Sequence, residues 1–204
     1  MRQLNHLLRS LTLLVLAPSL FAGMLLTGCA VKTTSAPEVS LTFMNRPAIH
    51  LNVGKIQVVN RYQMPLKPPL VEHLMPVAPG AGVERWAMDI LRAGGSGNTA
   101  VLTIHDASVT EISLQQKPGL KALLTLDQAQ RYDARLRATL EIRDVNGQQR
   151  GQVEVEVTRS QTVPENITLN QRTAVWFQMV EGLLADFAAQ MELQVRKDLG
   201  TFLR

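Results

Sequence analysis

One cysteine in 204 residues rules out an internal disulfide, and it rules out cysteine-cluster zinc sites with it. Aromatic residues are scarce at 4%, which argues against the stacking platforms that single-stranded nucleic acids use. An excess of one charge is missing too. The net charge is +4, and two of the arginines, Arg2 and Arg9, fall within the first 28 residues, so the remainder carries only +2. A pI of about 9.6 is therefore no sign of a basic nucleic-acid surface. No H-x-x-x-H pair and no carboxylate group at metal-ligand spacing occurs. The G-x-S-x-G nucleophile elbow is also absent. "GGSG" at 94–97 follows a helical pattern instead of opening one, and no lysine follows it, so it reads as a helix stop and not a phosphate loop. Long apolar runs are rare as well. Leu11–Leu26 is the single one, and it falls short of the ~20 residues of a membrane-spanning helix.

What is present begins with that run. Met1–Ser10 holds Arg2 and Arg9 and no acid, the apolar run follows, and small residues lead to Cys29 in "LLTGCA". A basic start, an apolar middle and a small-residue cleavage site make a secretory signal. Leu26-Thr27-Gly28-Cys29 resembles the bacterial lipobox, in which a leucine and two small residues precede the cysteine that is lipidated. The resemblance implies cleavage after Gly28 and acyl chains, palmitate among them, on Cys29. Each buried methylene contributes ~0.8 kcal/mol, and more than one chain makes anchoring stable. In the lipoprotein family an aspartate after the cysteine typically retains the protein in the inner membrane. Here Ala30 stands in that position, which implies the outer membrane, periplasmic side. The organisation expected is a signal over 1–28, a lipidated polar tether over 29–46, and a single domain over 47–204. No cofactor is expected.

Periodicity sets the domain's elements. His50–Asn60 reads as a strand, with Ile49, Leu51 and Val53 alternating, then Ile56 and Val58 in a shifted phase that a bulge at Gly54-Lys55 would restore. Five prolines in Arg61–Pro79 forbid a central strand or helix, leaving an extended segment laid over the domain. Val83–Ala93 has a helical apolar face on Val83, Trp86, Ala87, Ile90 and Leu91, stopped by Gly94-Gly95. Asn98–Leu114 reads as a long strand with a phase break near His105-Asp106. In Arg131–Arg143, Tyr132, Ala134, Leu136, Ala138, Leu140 and Ile142 alternate strictly with polar residues. Asp144-Val145-Asn146-Gly147 is a hairpin signal, and Gly151–Thr158 returns with Val153, Val155 and Val157 inward. A long helix then carries Val175, Trp176, Met179, Val180, Leu183, Phe187, Met191 and Val195 on one stripe, capped by Thr168 or Asn170 and ended by Gly200. Phe202 and Leu203 are expected to tuck back. The Asn166-Ile167-Thr168 sequon reads as chance in a bacterial chain. The predicted fold is α+β, a two-layer sandwich. Its mixed, mostly antiparallel sheet has about four strands, and two helices lie on one face.

Candidate chemistry is thin. His105, Asp106 and Ser108 contain the residue types of a hydrolytic triad. Neighbours on a regular strand point to opposite faces, though, and a triad is assembled from separated elements, so a bulge or turn is expected with Asp106 bonded to backbone. The arginine and glutamate stripes of Arg131, Arg135, Arg137, Glu154 and Glu156 read as a solvated sheet face. Two apolar stretches, Met64–Pro79 and Lys117–Leu126, suit either contact with a partner or coverage of sheet edges. No catalytic residue is expected, and the chain is read as a non-enzyme.

Trp86 in "WAMDILRAGG", Arg159 and Thr162-Val163-Pro164-Glu165 in "RSQTVPE", and Trp176 in "AVWFQMVEGLLADF" resemble the auxiliary lipoproteins of ABC-type envelope transport systems. More loosely they are similar to the outer-membrane lipoprotein that helps assemble lipopolysaccharide. The likeness implies a membrane-tethered accessory in lipid or lipopolysaccharide traffic. Its partners would be the bilayer through Cys29, an envelope protein complex and a lipid ligand, and not nucleic acid. A periplasmic hydrolase or lipid-binding enzyme with a hidden site, or a purely structural envelope lipoprotein, stays open beside it.

Overall fold

The computed structural model describes residues 41–114 and 128–204. In chain order the elements are β1 (Ile49–Leu51), β2 (Lys55–Asn60), α1 (Pro79–Ile90), β3 (Leu91–Ala93), β4 (Thr99–Ser113), β5 (Gln128–Arg143), β6 (Gln149–Pro164) and α2 (Leu169–Asp198). Short 3-10 turns occupy Glu72–Leu74 and Gly200–Phe202. The main sheet runs β2-β4-β5-β6, with β2 and β4 parallel and the other neighbours antiparallel. A second, two-stranded sheet pairs β1 with β3 in parallel. This is the α+β arrangement that the periodicity predicts, with a mixed, mostly antiparallel four-stranded sheet, two helices and the long helix at the C-terminus.

Alternation explains the sheet's inner face. Tyr132, Ala134, Leu136, Ala138, Leu140 and Ile142 of β5 are all buried, as are Val153, Val155 and Val157 of β6. On β4 the inward set is Ala100, Leu102 and Ile104, then Ala107 and Val109, a jump in phase. The register against β5 shifts between Ile104 and Asp106, so the extra residue is a β-bulge that returns the strand's apolar side to the core. Both helices close over this face. α1 buries Val83, Trp86, Ala87 and Ile90, and α2 buries a stripe from Trp176 to Val195. The edge of one aromatic ring meets the face of another at Trp86–Phe187 (5.3 Å) and Tyr132–Trp176 (5.5 Å). Such geometry adds ~0.5–1.5 kcal/mol beyond burial. Thr168 caps α2 in a capping box with Gln171, each side chain bonding the other's backbone N–H. Asp144 accepts from the Asn146 and Gln148 N–H groups, and Gly147 takes φ +79° to complete the hairpin turn. Among the described residues no helix is long and apolar enough to cross a membrane.

Three expectations change. The single strand over His50–Asn60 is two strands in two sheets, so the phase shift at Gly54 marks a crossing and not a bulge. Gly54 N–H reaches Asn98 O there (2.8 Å). The helix expected at Val83–Ala93 starts earlier, with Pro79 in its first turn, where a missing N–H costs nothing. It also ends earlier. Leu91 turns extended (φ −80°, ψ 133°) and pairs with Ile49. Gly94-Gly95 is thus no helix cap. A Cβ on Gly95 would sit 2.6 Å from the Asn52 carbonyl carbon, and only glycine lets the two backbones meet this closely.

The two ends of the described chain also pack. Phe43 is buried, its N–H donates to Asp89 Oδ2 (3.0 Å), and Arg46 pairs with Glu192 (2.6 Å). The far end of the stretch expected as a tether over 29–46 is therefore docked on both helices. At the C-terminus Asn52 N–H donates to Phe202 O (2.7 Å) and Arg204 N–H to His50 O (2.9 Å), so the tail extends the small sheet beyond β1. The signal over 1–28, Cys29, the isolated helix expected at 4–26 and the apolar stretch Lys117–Leu126 lie outside the described residues.

Candidate functional site

The face of the main sheet away from the helices carries the polar residues of β4, β5 and β6. Register sets its rows. Arg137 lies opposite Asp106 and Glu156, Arg135 opposite Ser108 and Thr158, and Asp133 opposite Thr110 and Ser160. Ion pairs run diagonally across these rows. Arg135 meets Glu156 (2.9 Å) and Asp106 (3.7 Å), and Arg137 meets Glu154 (3.3 Å). Along β5, Arg131 pairs with Asp133 (2.8 Å). The hydrogen bond to Glu156, with its charge, holds the half-exposed Arg135 guanidinium above its ordinary pKa. The stripes read as a solvated face are thus an interlocked grid. It displays hydroxyls and neutralised pairs in place of a field of one sign, which suits recognition by hydrogen bonding more than by charge.

Near the grid's centre lies an open depression of about 450 Å³, lined by Asp106, Ser108, Thr110, Asp133, Arg135 and Thr158 among others. Asp106 and Ser108, two residues apart beyond the bulge in β4, face this depression together, as strand alternation dictates. His105 Nε2 bonds Thr139 Oγ1 (2.9 Å), whereas Asp106 Oδ1 accepts from Ser108 N–H (3.1 Å). The histidine is engaged with a threonine, and the aspartate with backbone and Arg135. They form no His–Asp–Ser relay, and the bulge-with-turn reading describes them. Among the described residues no three of His, Cys, Asp and Glu converge as a metal site.

The proline segment has a different task. Leu70 bridges Thr110, Val71 N–H donates to Val109 O (2.9 Å) and Glu111 N–H to Pro69 O (2.8 Å). The arm therefore takes over the edge of β4 where β2 ends, covering it as the edge reading predicts. Its pin is Glu72, fully buried, which accepts Tyr62 O–H (2.5 Å) through one carboxyl oxygen and Val109 N–H (3.2 Å) through the other. Burial, reinforced by the hydrogen bond to Glu72, pushes the Tyr62 phenol well above its usual value. Val71 and Met75 face the core while Leu66 and Leu74 remain exposed.

No family model matches this chain, and no curated protein matches it. Solved structures of similar shape include a minor lipoprotein from Acinetobacter baumannii at 15% identity, covering 69% of this chain and 89% of that one with a TM-score of 0.38. Lipoprotein B from Nitrosomonas europaea is 15% identical over 74% of this chain and 87% of its own, with a TM-score of 0.39. Rare lipoprotein B from Shewanella oneidensis is 10% identical over 70% and 96%, at 0.35. Likeness at these values carries no functional argument.

The phrases behind the family resemblance turn out to be framework. Trp86 and Trp176 are buried, Val163 is core, and Arg159 bridges Asp186 (2.8 Å) across β6 and α2. Glu72 was not singled out in sequence. Its signal is an acid alone in the apolar "PPLVEHLMP", where burial demands a dedicated partner.

Proposed function

We propose that this chain is a bacterial envelope lipoprotein acylated at Cys29, its domain serving as a non-enzymatic accessory to a transport or assembly complex in lipid or lipopolysaccharide traffic. One observation carries the reading. The sole cysteine follows a basic start, an apolar run and Leu26-Thr27-Gly28, where a lipidated thiol is the one use that fits its place. Two structural features support the accessory role. The triad-like residues are committed to fold contacts, and the open sheet face offers a broad hydrogen-bonding surface instead of a closed pocket. Ala30 favours the outer membrane, facing the periplasm.

Two measurements test this. Cys29→Ser abolishes incorporation of labelled palmitate and moves the protein from the membrane fraction to the soluble periplasm. Retention of the label in that variant overturns the lipidation reading. Crosslinking in cells followed by detergent purification of a C-terminally tagged chain recovers a transporter or outer-membrane assembly component. Recovery of the chain alone overturns the accessory role and returns the structural lipoprotein or hidden enzyme in its place.

A further inference from the structure

Charge is distributed unevenly along the domain. Call the near pole the end where β4 and β6 begin, the two helices finish and the small sheet sits. Lys55 opens β2 there, Arg92 lies in β3, Arg150 starts β6, Arg196 and Lys197 fill the last turn of α2, and Arg204 ends the chain beside His50. None of these six makes an ion pair among the described residues. Arg92 is spent on the α1 carbonyls of Met88 and Asp89, and Arg204 bonds Gly94 O, acceptors that bring no counter-charge. Among the described residues, Asp144 and Asp198 stand against the six. At the far pole, among the described residues, the cations outside ion pairs are Arg61, Lys67 and Arg172, beside Glu84, Glu111 and Glu181. Exposed apolar side chains occur at both poles: Met44, Met88, Val145 and Leu193 near, Leu66, Leu74 and Leu169 far. What separates the ends is charge.

The chain also enters at the near pole. Phe43 docks on Asp89, in the last turn of α1, fourteen positions after Cys29. A fourteen-residue span reaches at most about 50 Å, enough to cross the width of a domain this size. Reach therefore leaves the orientation open. Basic side chains near an anionic bilayer do not, since each draws the domain toward the surface.

We propose that the near pole, with its six unpaired cations and its exposed Met44, Met88 and Leu193, lies against the anionic phospholipid surface to which Cys29 tethers the chain. The proposal rests on the lipid-anchor reading for its geometry, and the polar sheet face then stands out from the membrane, free for a partner. Helix-end cations also complement the α2 dipole. Arg92 likewise serves the carbonyl end of α1, whereas Lys55 and Arg150 lie off both helix ends and have no such reason to gather.

The test places a fluorophore on the full-length acylated chain, at Leu193→Cys or at Leu169→Cys, in vesicles holding a headgroup spin-labelled lipid. With phosphatidylcholine and phosphatidylglycerol, quenching at position 193 exceeds that at 169 roughly threefold or more, and the contrast vanishes in phosphatidylcholine alone. Lys55→Glu with Arg150→Glu, which leaves the helix dipole untouched, also removes it. Equal quenching at both positions, or a contrast indifferent to phosphatidylglycerol, overturns the proposal. If the anchor reading itself fails, mass spectrometry of the Cys29 peptide shows no acyl mass. The unlipidated Cys29→Ser chain then decides by co-sedimentation with phosphatidylglycerol vesicles. Salt-sensitive binding that the double charge reversal weakens about tenfold supports the near pole, and absence of binding overturns it.

Discussion

Replacing Glu72 tests how the proline arm is held, because this side chain is buried and bonds two groups at once. Glu72→Leu keeps volume but removes both acceptors. Tyr62 is partly exposed and its hydroxyl can turn to water, so the loss there is small. Val109 N–H is different, since Val109 is fully buried and Glu72 Oε2 is the acceptor that satisfies its amide. An orphaned buried donor costs about 1–3 kcal/mol, and the lost side-chain bond to Tyr62 adds ~1 kcal/mol. The expected destabilisation is thus ~2–4 kcal/mol. At about 2–4 °C per kcal/mol for a domain of this size, the melting temperature falls by roughly 5–15 °C. Glu72→Gln separates bonding from shape. Its amide oxygen accepts from Val109 N–H while its NH2 donates to the Tyr62 oxygen, and the variant loses under ~1 kcal/mol. Thermal and urea unfolding of the unlipidated full chain, followed by circular dichroism, measures both. Wild-type stability in Glu72→Leu, or equal loss in both variants, refutes the claim that the arm is pinned through this carboxyl.

Other outcomes follow from specific contacts. A Cβ on Gly82 of α1 would lie 2.2 Å from Leu184 Cδ1 of α2, so Gly82→Ala overpacks the helix contact and costs ~1–3 kcal/mol, less the helix propensity alanine gains. In a double-mutant cycle with Leu184→Ala the two losses are less than additive by urea midpoint. Both tyrosines, Tyr62 and Tyr132, have pKa values raised chiefly by burial. The folded state therefore holds protons that the unfolded state releases above pH ~10, so stability is complete below that pH and falls above it. Tyr62→Phe lessens the fall, read from unfolding midpoints at pH 9 to 11. Single alanine substitutions at His105, Asp106 and Ser108 each cost about 1 kcal/mol or less, read from urea midpoints; full partner recovery in folded Asp106→Ala and Ser108→Ala variants removes the depression from the binding surface. Loss of partner recovery in a folded variant places that cluster in the binding surface.

The sheet and α2 were legible because long strict patterns leave few alternatives. In β5 a one-residue slip would turn Tyr132, Leu136 and Leu140 to water, and in α2 the stripe from Trp176 to Val195 fits one face of a helix. Even the bulge at His105 shows as a phase jump between Ile104 and Ala107. Short elements were not legible, since three residues hold too little pattern. Ile49–Leu51 and Leu91–Ala93 pair with each other because their ends meet at Gly95 and Asn52, a contact between distant residues that no local window contains. Leu91 continues the apolar face of Val83, Trp86, Ala87 and Ile90, so periodicity carries the expected helix past Ile90, and in the fold the pairing of Leu91 with Ile49 prevails. The functional surfaces were harder for a related reason. Arg135 and Arg137 alternate like any wet strand, and their diagonal partners appear only once register is known. The near pole gathers cations from β2, β3, β6, α2 and the C-terminal tail, each unremarkable in its own stretch. Net charge conceals the result, since the far pole's acids offset it. On the lipid tether proposed above, the domain's polarity and not its mean charge would decide which face meets the membrane and which remains for a partner.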